Sequence, residues 1–324
     1  MNPVIAVLVP CYNEQAAIAA VVRDFRAALP DATVFVYDNN STDQTKAVAA
    51  AAGAVVRSEP LRGKGNVVRR MFADIEADVF VLVDGDDTYD AASAPKLIQL
   101  LLSESLDMVN GARVASSDLA YRRGHQFGNA MLTGLVARIF GNRLTDLLSG
   151  YRVMSRRFVK SFPALTPGFE IETEMTVHAL ELRLPMAEVP TTYRERPSGS
   201  ASKLRTYHDG IRILRVIMIL MKQEKPLTFF GVIGALLAIL SGALAVPVIE
   251  TYLKTGLVPR LPTAVLSTGI MLLAFLSFFC GLILETVTRG RVETKRLSYL
   301  SVPIRFNSVA TQEAQAPWRT GSDG

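Results

Sequence analysis

The chain has 324 residues, of which 49% are hydrophobic and 20% charged, with a formal net charge of +5. At about 100–200 residues per domain, that length admits roughly two domains. The mean hydropathy of +0.25 is high for a purely soluble chain, yet the charged share excludes one embedded in a membrane throughout, so the apolar excess must be local.

The charge is also uneven. Residues 1–109 carry 9 basic and 15 acidic side chains, residues 110–225 carry 18 and 10, and residues 226–324 carry 8 and 5. An acidic part followed by a basic part suits a cation or nucleotide site first and anionic headgroups second. Nucleic acid is a rival partner for the basic block, but no binding motif accompanies it. Cys11 and Cys280 stand far apart with no CxxC, which excludes a structural zinc site and fits a reducing compartment. Residues 1–10 lack the basic start of a secretory leader, so the first domain is expected in the cytosol.

In chain order, residues 4–9, 33–37 and 79–83 are short β-branched runs bounded by turn residues and read as buried strands. Helical patterns occupy 15–28, 42–52 and 66–75, with Ser41 and Asp43 available as caps before the second. Residues 107–111 form another expected strand. Strands alternating with helices indicate an α/β domain, a mostly parallel sheet with helices on both faces. A basic loop at 114–124 then leads to expected helices at 126–140 and 172–182 and a strand at 187–193, with a loop at 141–151 and a break at 197–200. Residues 207–223 place Ile211, Leu214, Ile217 and Met218 on one side and Arg212 and Arg215 on another, the pattern of an interfacial helix or of a core helix.

Residues 227–249 and 261–284 contain no Asp, Glu, Lys, Arg or His. Each exceeds the roughly 20 residues a helix needs to cross a bilayer, so a two-helix transmembrane hairpin is expected. The connection holds Lys254 and Arg260, whereas the flanks hold Lys222, Lys225, Arg289, Arg291, Lys295 and Arg296, which predicts cytosolic flanks and a short external loop. Gly234, Ala238 and Gly242 repeat every fourth residue as a candidate helix-contact ridge. The expected organisation is a catalytic domain at 1–205, an interface helix at 206–225, a hairpin at 226–288 and a partly disordered cytosolic tail at 289–324.

Ligands of open parallel sheets bind at the carboxyl ends of the strands. Here three such ends are polar: Pro10-Cys11-Tyr12-Asn13-Glu14, Asp38-Asn39-Asn40-Ser41-Thr42-Asp43 and Asp84-Gly85-Asp86-Asp87-Thr88. In an extended segment residues i and i+2 point the same way, so Asp84 and Asp86 are expected to share one hard cation, Mg²⁺ or Mn²⁺. An acidic loop that is merely solvated is the alternative. Gly63-Lys64-Gly65 is followed by Asn66, so it is not a Walker A loop; Lys64 either reaches a donor phosphate or belongs to a plain turn.

With those motifs come NGAR at 110–113, DLLSGYR at 146–152 and GFEIETE at 168–174. In this order the set resembles family 2 glycosyltransferases of the GT-A fold. Within them it is most similar to the polyprenyl-phosphate hexose synthases, in their bacterial two-helix-anchored form. The resemblance implies inverting transfer of one hexose from a UDP- or GDP-linked sugar to a polyprenyl phosphate at the cytosolic face of the inner membrane, with room for a homo-oligomer and no nucleic acid. It implies that Pro10, Tyr12, Glu14 and Asp38 hold the nucleoside, with Lys64 and Asp84 completing the donor site. Asp84 and Asp86 serve the metal and diphosphate. Asp146 faces the donor sugar, and Asp86, Asp146 and Arg113 form the catalytic set. Arg113, Arg122, Arg196 and Lys203 take the acceptor phosphate, with Arg123 the neighbour that competes with Arg122 for that role.

Three positions depart from the family pattern: Asn39 replaces its second acid, Thr88 stands where a Gln is common, and His125 replaces a serine. A processive polysaccharide synthase is the rival enzyme, but it needs QxxRW and more spans, and the single tryptophan is Trp318 in the polar tail. A flippase or transporter subunit would be expected to carry ionisable residues inside its spans. A non-catalytic binding module is disfavoured by the intact acidic tips.

Overall fold

The computed structural model describes residues 2–115, 133–134, 136, 145–194, 218–219 and 221–303. The chain divides into two compact units, 1–209 with 295–324, and 210–294.

The first unit is built on a seven-stranded sheet. Its strands are β1 (Ile5–Cys11), β2 (Thr33–Asp38), β3 (Val55–Ser58), β4 (Val79–Leu82), β5 (Met108–Ala115), β6 (Arg152–Ser155) and β7 (Met186–Tyr193), in the order β3-β2-β1-β4-β6-β5-β7. All pairings are parallel except those of β6, which runs antiparallel to both β4 and β5. The expected mostly parallel α/β sheet is therefore present. All four residues of β4 are buried, as befits a strand covered on both faces. Alternation sends Val79 and Val81 into a core shared with Val7, Val9 and Val109, and turns Phe80 to the opposite face, where its ring meets Phe72 at 6.4 Å.

Helices α1 (Ile18–Ala28), α2 (Thr45–Ala51), α3 (Lys64–Asp74), α4 (Ala94–Ser103), α5 (Arg156–Ser161) and α6 (Ile171–Leu182) flank the sheet. Ile18, Val21, Val22 and Phe25 of α1 join Leu97, Ile98 and Leu101 of α4 in the core on one face. Val67, Val68, Met71 and Phe72 of α3 are buried elsewhere, with Phe72 at 6.2 Å from Phe162. The cap expectation before α2 does not hold: the N-cap is Gln44 with no side-chain cap bond, and Asp43 Oδ1 accepts from the Thr45 N–H at 3.0 Å. Ser41 Oγ instead accepts from the Asn13 N–H at 2.8 Å. Strands β3 and β6 and helices α4 and α5 were not expected from the sequence. The expected helix at 126–140 and the interface helix at 207–223 lie almost wholly outside the described residues.

In the second unit, α7 (Pro226–Thr255) and the greater part of α8 (Leu261–Ser301) are long and apolar enough to cross a membrane, with mean hydropathies of 2.5 and 2.3 over their most apolar windows. Gly256, at φ 69°, closes α7. The small-residue ridge differs from expectation. Gly242 faces open space, and beyond Pro226 at the start of α7 the buried positions are Gly234, Ser241 and Val248 on α7 and Ser267, Ala274 and Gly281 on α8. Both sets recur every seventh residue, the spacing of helices that stay in register along their length. Ser241 Oγ donates to the Ser267 carbonyl at 2.7 Å and Ser277 Oγ to the Phe230 carbonyl at 2.9 Å. Such bonds and close backbone approach are what hold helices together where water offers no driving force.

The helix α8 runs on to Ser301, past the point where a tail was expected to begin. Its last turns belong to the first unit, and contacts there hold them. Lys295 pairs with Glu181, Tyr299 Oη donates to Asp107 Oδ2 at 2.7 Å, and Arg157 donates to the Val302 carbonyl at 3.0 Å. Residues 304–324 lie outside the described residues.

Candidate active site

The carboxyl ends of β1, β2 and β4 open onto a cavity of about 390 Å³. Pro10, Tyr12 and Glu14 line it from the end of β1, Lys64 from the start of α3, and Asp84 and Asp86 from the segment after β4. Five of the six expected donor-site residues, and the expected metal ligand Asp86, are thus brought together. Asp38 does not line the cavity; it is fully buried behind Asn39, which does. Asp38 Oδ2 accepts from the Ser41 N–H at 3.1 Å and lies 3.5 Å from Lys46 Nζ, while Oδ1 is buried with no donor among the described residues.

Much of the polarity in the first two loops serves to join them. The Glu14 N–H donates to Thr45 Oγ1 at 2.9 Å, and Asn13 Oδ1 accepts from the Thr42 N–H at 2.8 Å. Asn39 explains one departure from the family pattern. Its amide donates to the carbonyls of Glu59 and Leu61 at 2.9 and 2.7 Å and accepts from the Gly63 N–H at 2.7 Å. A carboxylate could not make the two donations. The loop so pinned delivers Gly63 and Gly65 against the backbone of Thr166 and Pro167, where a Cβ on either glycine would overlap a carbonyl oxygen.

That packing aims Lys64 inward. Its ammonium is buried and donates to Asp84 and to Glu172 at the first turn of α6. Burial disfavours the charge, but the two carboxylates more than offset this and hold Lys64 well above the ordinary lysine value. Burial pushes Glu172 up, against the pull of Lys64 and with the help of the Asp84 charge. Glu172 Oε2 is buried with no partner among the described residues. Glu174 does something else: it accepts from the N–H groups of Leu165 and Thr166 at 2.8 and 2.9 Å, fixing the segment before α6.

The argument from strand alternation for Asp84 and Asp86 does not hold, because β4 ends at Leu82 and Gly85-Asp86 form a turn. Both nevertheless line the cavity. The turn is tight because Gly85 sits against Cys11, whose sulfur would overlap any Cβ there. Thr88 Oγ1 donates to Asp86 Oδ1 at 2.6 Å and so orients that carboxylate. Two carboxylates opening on a cavity are a hard-oxygen donor set that fits Mg²⁺ or Mn²⁺, which take one or two carboxylates and fill the rest from phosphate and water. Among the described residues no cluster of three or more His, Cys, Asp or Glu could form an all-protein cage.

Asp146 and Arg113 are paired. Arg113 donates from Nε and Nη2 to the two Asp146 oxygens at 2.7 and 2.8 Å and lies over the Tyr193 ring at 5.6 Å from its centroid. Burial works to raise the Asp146 carboxyl, but the Arg113 fork and two backbone N–H groups outweigh it and hold the group low. Three residues with no role assigned from the sequence support this pair. Glu188 accepts from the N–H groups of Thr145 and Asp146 and from Asn110 Nδ2. Arg152, fully buried in β6, donates to the carbonyls of Leu147 and Ser149 at 2.9 and 3.1 Å. Burial pulls its guanidinium down to about 10, leaving it charged at neutral pH. Asn110 and Arg152 stood within the quoted NGAR and DLLSGYR motifs; Glu188 carried no signal beyond being acidic in an expected strand. Arg122, Arg123, His125, Arg196 and Lys203 lie outside the described residues.

The family model for glycosyl transferase family 2 matches residues 6–162. Glycosyltransferase AglJ of Haloferax volcanii is 38% identical over 232 residues, 71% of this chain and 76% of that protein. The chain belongs to glycosyl transferase family 2. The dolichyl-phosphate hexose transferase of the same organism is 27% identical over 221 residues, 68% of this chain and 95% of its own length. Among solved structures, glucosyl-3-phosphoglycerate synthase of Mycobacterium tuberculosis in complex with Mn²⁺, UDP and glucosyl-3-phosphoglycerate aligns at a TM-score of 0.54 with 25% identity, covering 68% of this chain and 80% of that one. This family 2 chain is thus a glycosyltransferase with a GT-A-like fold, carrying two long apolar helices after its catalytic unit.

Proposed function

We propose that this glycosyltransferase moves a single hexose, with inversion, from a nucleoside diphosphate sugar to a polyprenyl phosphate at the cytosolic face of the inner membrane. The observation that carries the reading is the pairing, in one chain, of the acidic cavity with a self-packed apolar hairpin. A membrane-bound enzyme of this kind meets an acceptor that is itself held in the membrane. Similarity to the dolichyl-phosphate hexose transferase supports a lipid phosphate acceptor. Likeness to a UDP-bound neighbour supports a UDP-sugar ahead of a GDP-sugar.

In this reading an oxygen of the lipid phosphate attacks the anomeric carbon, and the bond from that carbon to the diphosphate oxygen breaks. The attacking phosphate is already anionic at pH 7, so it needs position more than a general base. Asp146 suits that view: bonded to the Arg113 fork and held ionised, it orients the arginine for a phosphate rather than taking a proton. Pro10, Tyr12 and Glu14 bound the nucleotide end, and Asp38 lies one layer deeper. Asp84 and Asp86 would hold a divalent cation, which when bound neutralises charge on the departing diphosphate. Arg122, Arg196 and Lys203 are proposed as further acceptor-phosphate ligands.

The orientation follows from charge. Arg291 pairs with Glu224 at 2.9 Å, so both basic flanks of the hairpin lie at one end of it, and that end is proposed as cytosolic. The full chain, purified in detergent, is to be given radiolabelled UDP- and GDP-hexoses with undecaprenyl phosphate. Label entering the organic phase as an acid-labile monosaccharide lipid is the expected result. Label entering polymer, or passing only to a water-soluble phosphorylated acceptor, overturns the reading.

A further inference from the structure

The Lys64 ammonium lies against Asp84, one of the two carboxylates expected to hold a metal ion. It is buried, and it touches two carboxylates at once, Asp84 on the cavity wall and Glu172 on α6. The two partners are not equivalent. The Asp84 side chain is 31% exposed and that of Glu172 only 6%. Glu172 also keeps a second oxygen, Oε2, buried and without a donor among the described residues. A buried carboxylate oxygen in that condition is costly and ready for a further hydrogen bond. A lysine ammonium has three donors on a flexible stem and can exchange one acceptor for another without leaving the site.

We propose that Lys64 is a resident counter-cation, holding Asp84 in the empty site and passing onto Glu172 alone when Asp84 turns to a divalent cation. Glu172 is then a positioning residue: it acts on the metal only through Lys64, by giving the ammonium somewhere to go. The arrangement keeps Asp84 and Glu172 from facing each other uncompensated before the donor arrives. It also leaves a positive charge one side chain away from the diphosphate once the donor is bound. This inference rests on the donor-site reading of the cavity.

The test is a double-mutant cycle on Mn²⁺ binding, with Mn²⁺ alone as the probe and free Mn²⁺ followed by electron paramagnetic resonance. Lys64→Met removes the competitor and is expected to tighten Mn²⁺ by about tenfold or more, the scale on which one neighbouring charge shifts a site. Glu172→Gln removes the second station and is expected to weaken Mn²⁺ by about threefold or more. In the Lys64→Met background, Glu172→Gln is expected to change Mn²⁺ affinity by less than about twofold, because the residue through which it acts is gone. Equal effects of Glu172→Gln in both backgrounds would show a general field instead and overturn the proposal. So would weaker Mn²⁺ binding in Lys64→Met. Where Lys64→Met does not fold, Lys64→Gln keeps an amide donor between the carboxylates and serves the same cycle. A parallel titration of UDP with Mn²⁺ separates the two readings. If the Mn²⁺ cycle behaves as stated but UDP does not bind, the donor-site reading fails and the counter-cation stands.

Discussion

Gly150 lies directly against the Asp84 carboxylate, so that a methyl group at position 150 would overlap Asp84 Oδ2 and its carboxyl carbon. The contact joins the 145–151 loop, which carries Asp146, to the turn that follows β4. Its glycine N–H is held from the other side by Tyr89 Oη at 2.8 Å, so the loop has little freedom to withdraw.

Gly150→Ala is therefore expected to displace Asp84 rather than the loop. Asp84 is partly exposed and can swing, so the fold should persist. Misplacing a catalytic group by about 1 Å costs up to a hundredfold. We expect kcat/KM for hexose transfer to fall by about tenfold to a hundredfold while the melting temperature stays within a few degrees. Wild-type turnover would show that Asp84 tolerates the shift and is not positioned by Gly150.

Asp86→Asn is expected to abolish divalent-dependent transfer without unfolding the protein, and Asp84→Asn to do the same. Thr88→Val removes one donor from Asp86 and should cause a smaller loss, about fivefold to tenfold, on the scale of one hydrogen bond to a charged group. Full activity in excess EDTA, or in either Asn variant, would remove the metal from the mechanism.

His178 supplies a pH dependence. It lies on α6 at 2% exposure, its ring 5.6 Å from Phe158 and 5.3 Å from Phe162, and neither ring nitrogen has a partner among the described residues. Burial, helped by the Lys295 charge, pulls its pKa down to about 3. A base whose folded pKa is depressed contributes nothing unfavourable above its unfolded value near 6.5. It costs stability progressively as pH falls from there towards 3, because the unfolded chain takes up the proton first. At pH 5 the cost is about 2 kcal/mol. His178→Phe should lose less stability than the parent between pH 7 and pH 5, by that amount, in denaturant melts of the detergent-solubilised protein. Identical pH profiles would mean that the histidine finds a partner or water in solution.

Topology can be read by labelling. With Cys11 and Cys280 replaced, Leu257→Cys in the short connection should react with an impermeant maleimide added outside intact cells. Thr294→Cys should react only after permeabilisation. The reverse pattern would invert the hairpin.

What the sequence made legible follows from how each element is stabilised. Strands β1, β2 and β4 are continuous apolar runs because helices cover both faces, and α7 and α8 were legible because each carries a long run without charge. β6 was not legible, because it is four residues long, contains a fully buried arginine, and exists only through pairing with β4 and β5. α4 carries Leu97, Ile98 and Leu101 at helical spacing and could have been found. At the site, the acidic tips announced themselves by position at strand ends. The partnership of Lys64 with Glu172 did not, since 108 residues separate them and only the packing of Gly63 and Gly65 on Pro167 brings them together. Arg113 and Asp146 were each legible as motif members but not as one ion pair.

The triple engagement of Asn39 limits how this position can change over evolution. Asn39→Asp, the exchange that would restore the family's acid, sets a carboxylate against the carbonyls of Glu59 and Leu61, beside the buried Asp38. The Leu61 carbonyl would then lose its Asn39 donor, and the Glu59 carbonyl would keep only the longer bond from the Asn40 amide at 3.4 Å. The acid could return only together with a rerouted 59–63 segment, whose far end sets Lys64. Homologues should therefore vary at positions 39 and 59–63 in concert, and a chimera that exchanges one without the other should misplace the lysine before it loses its fold.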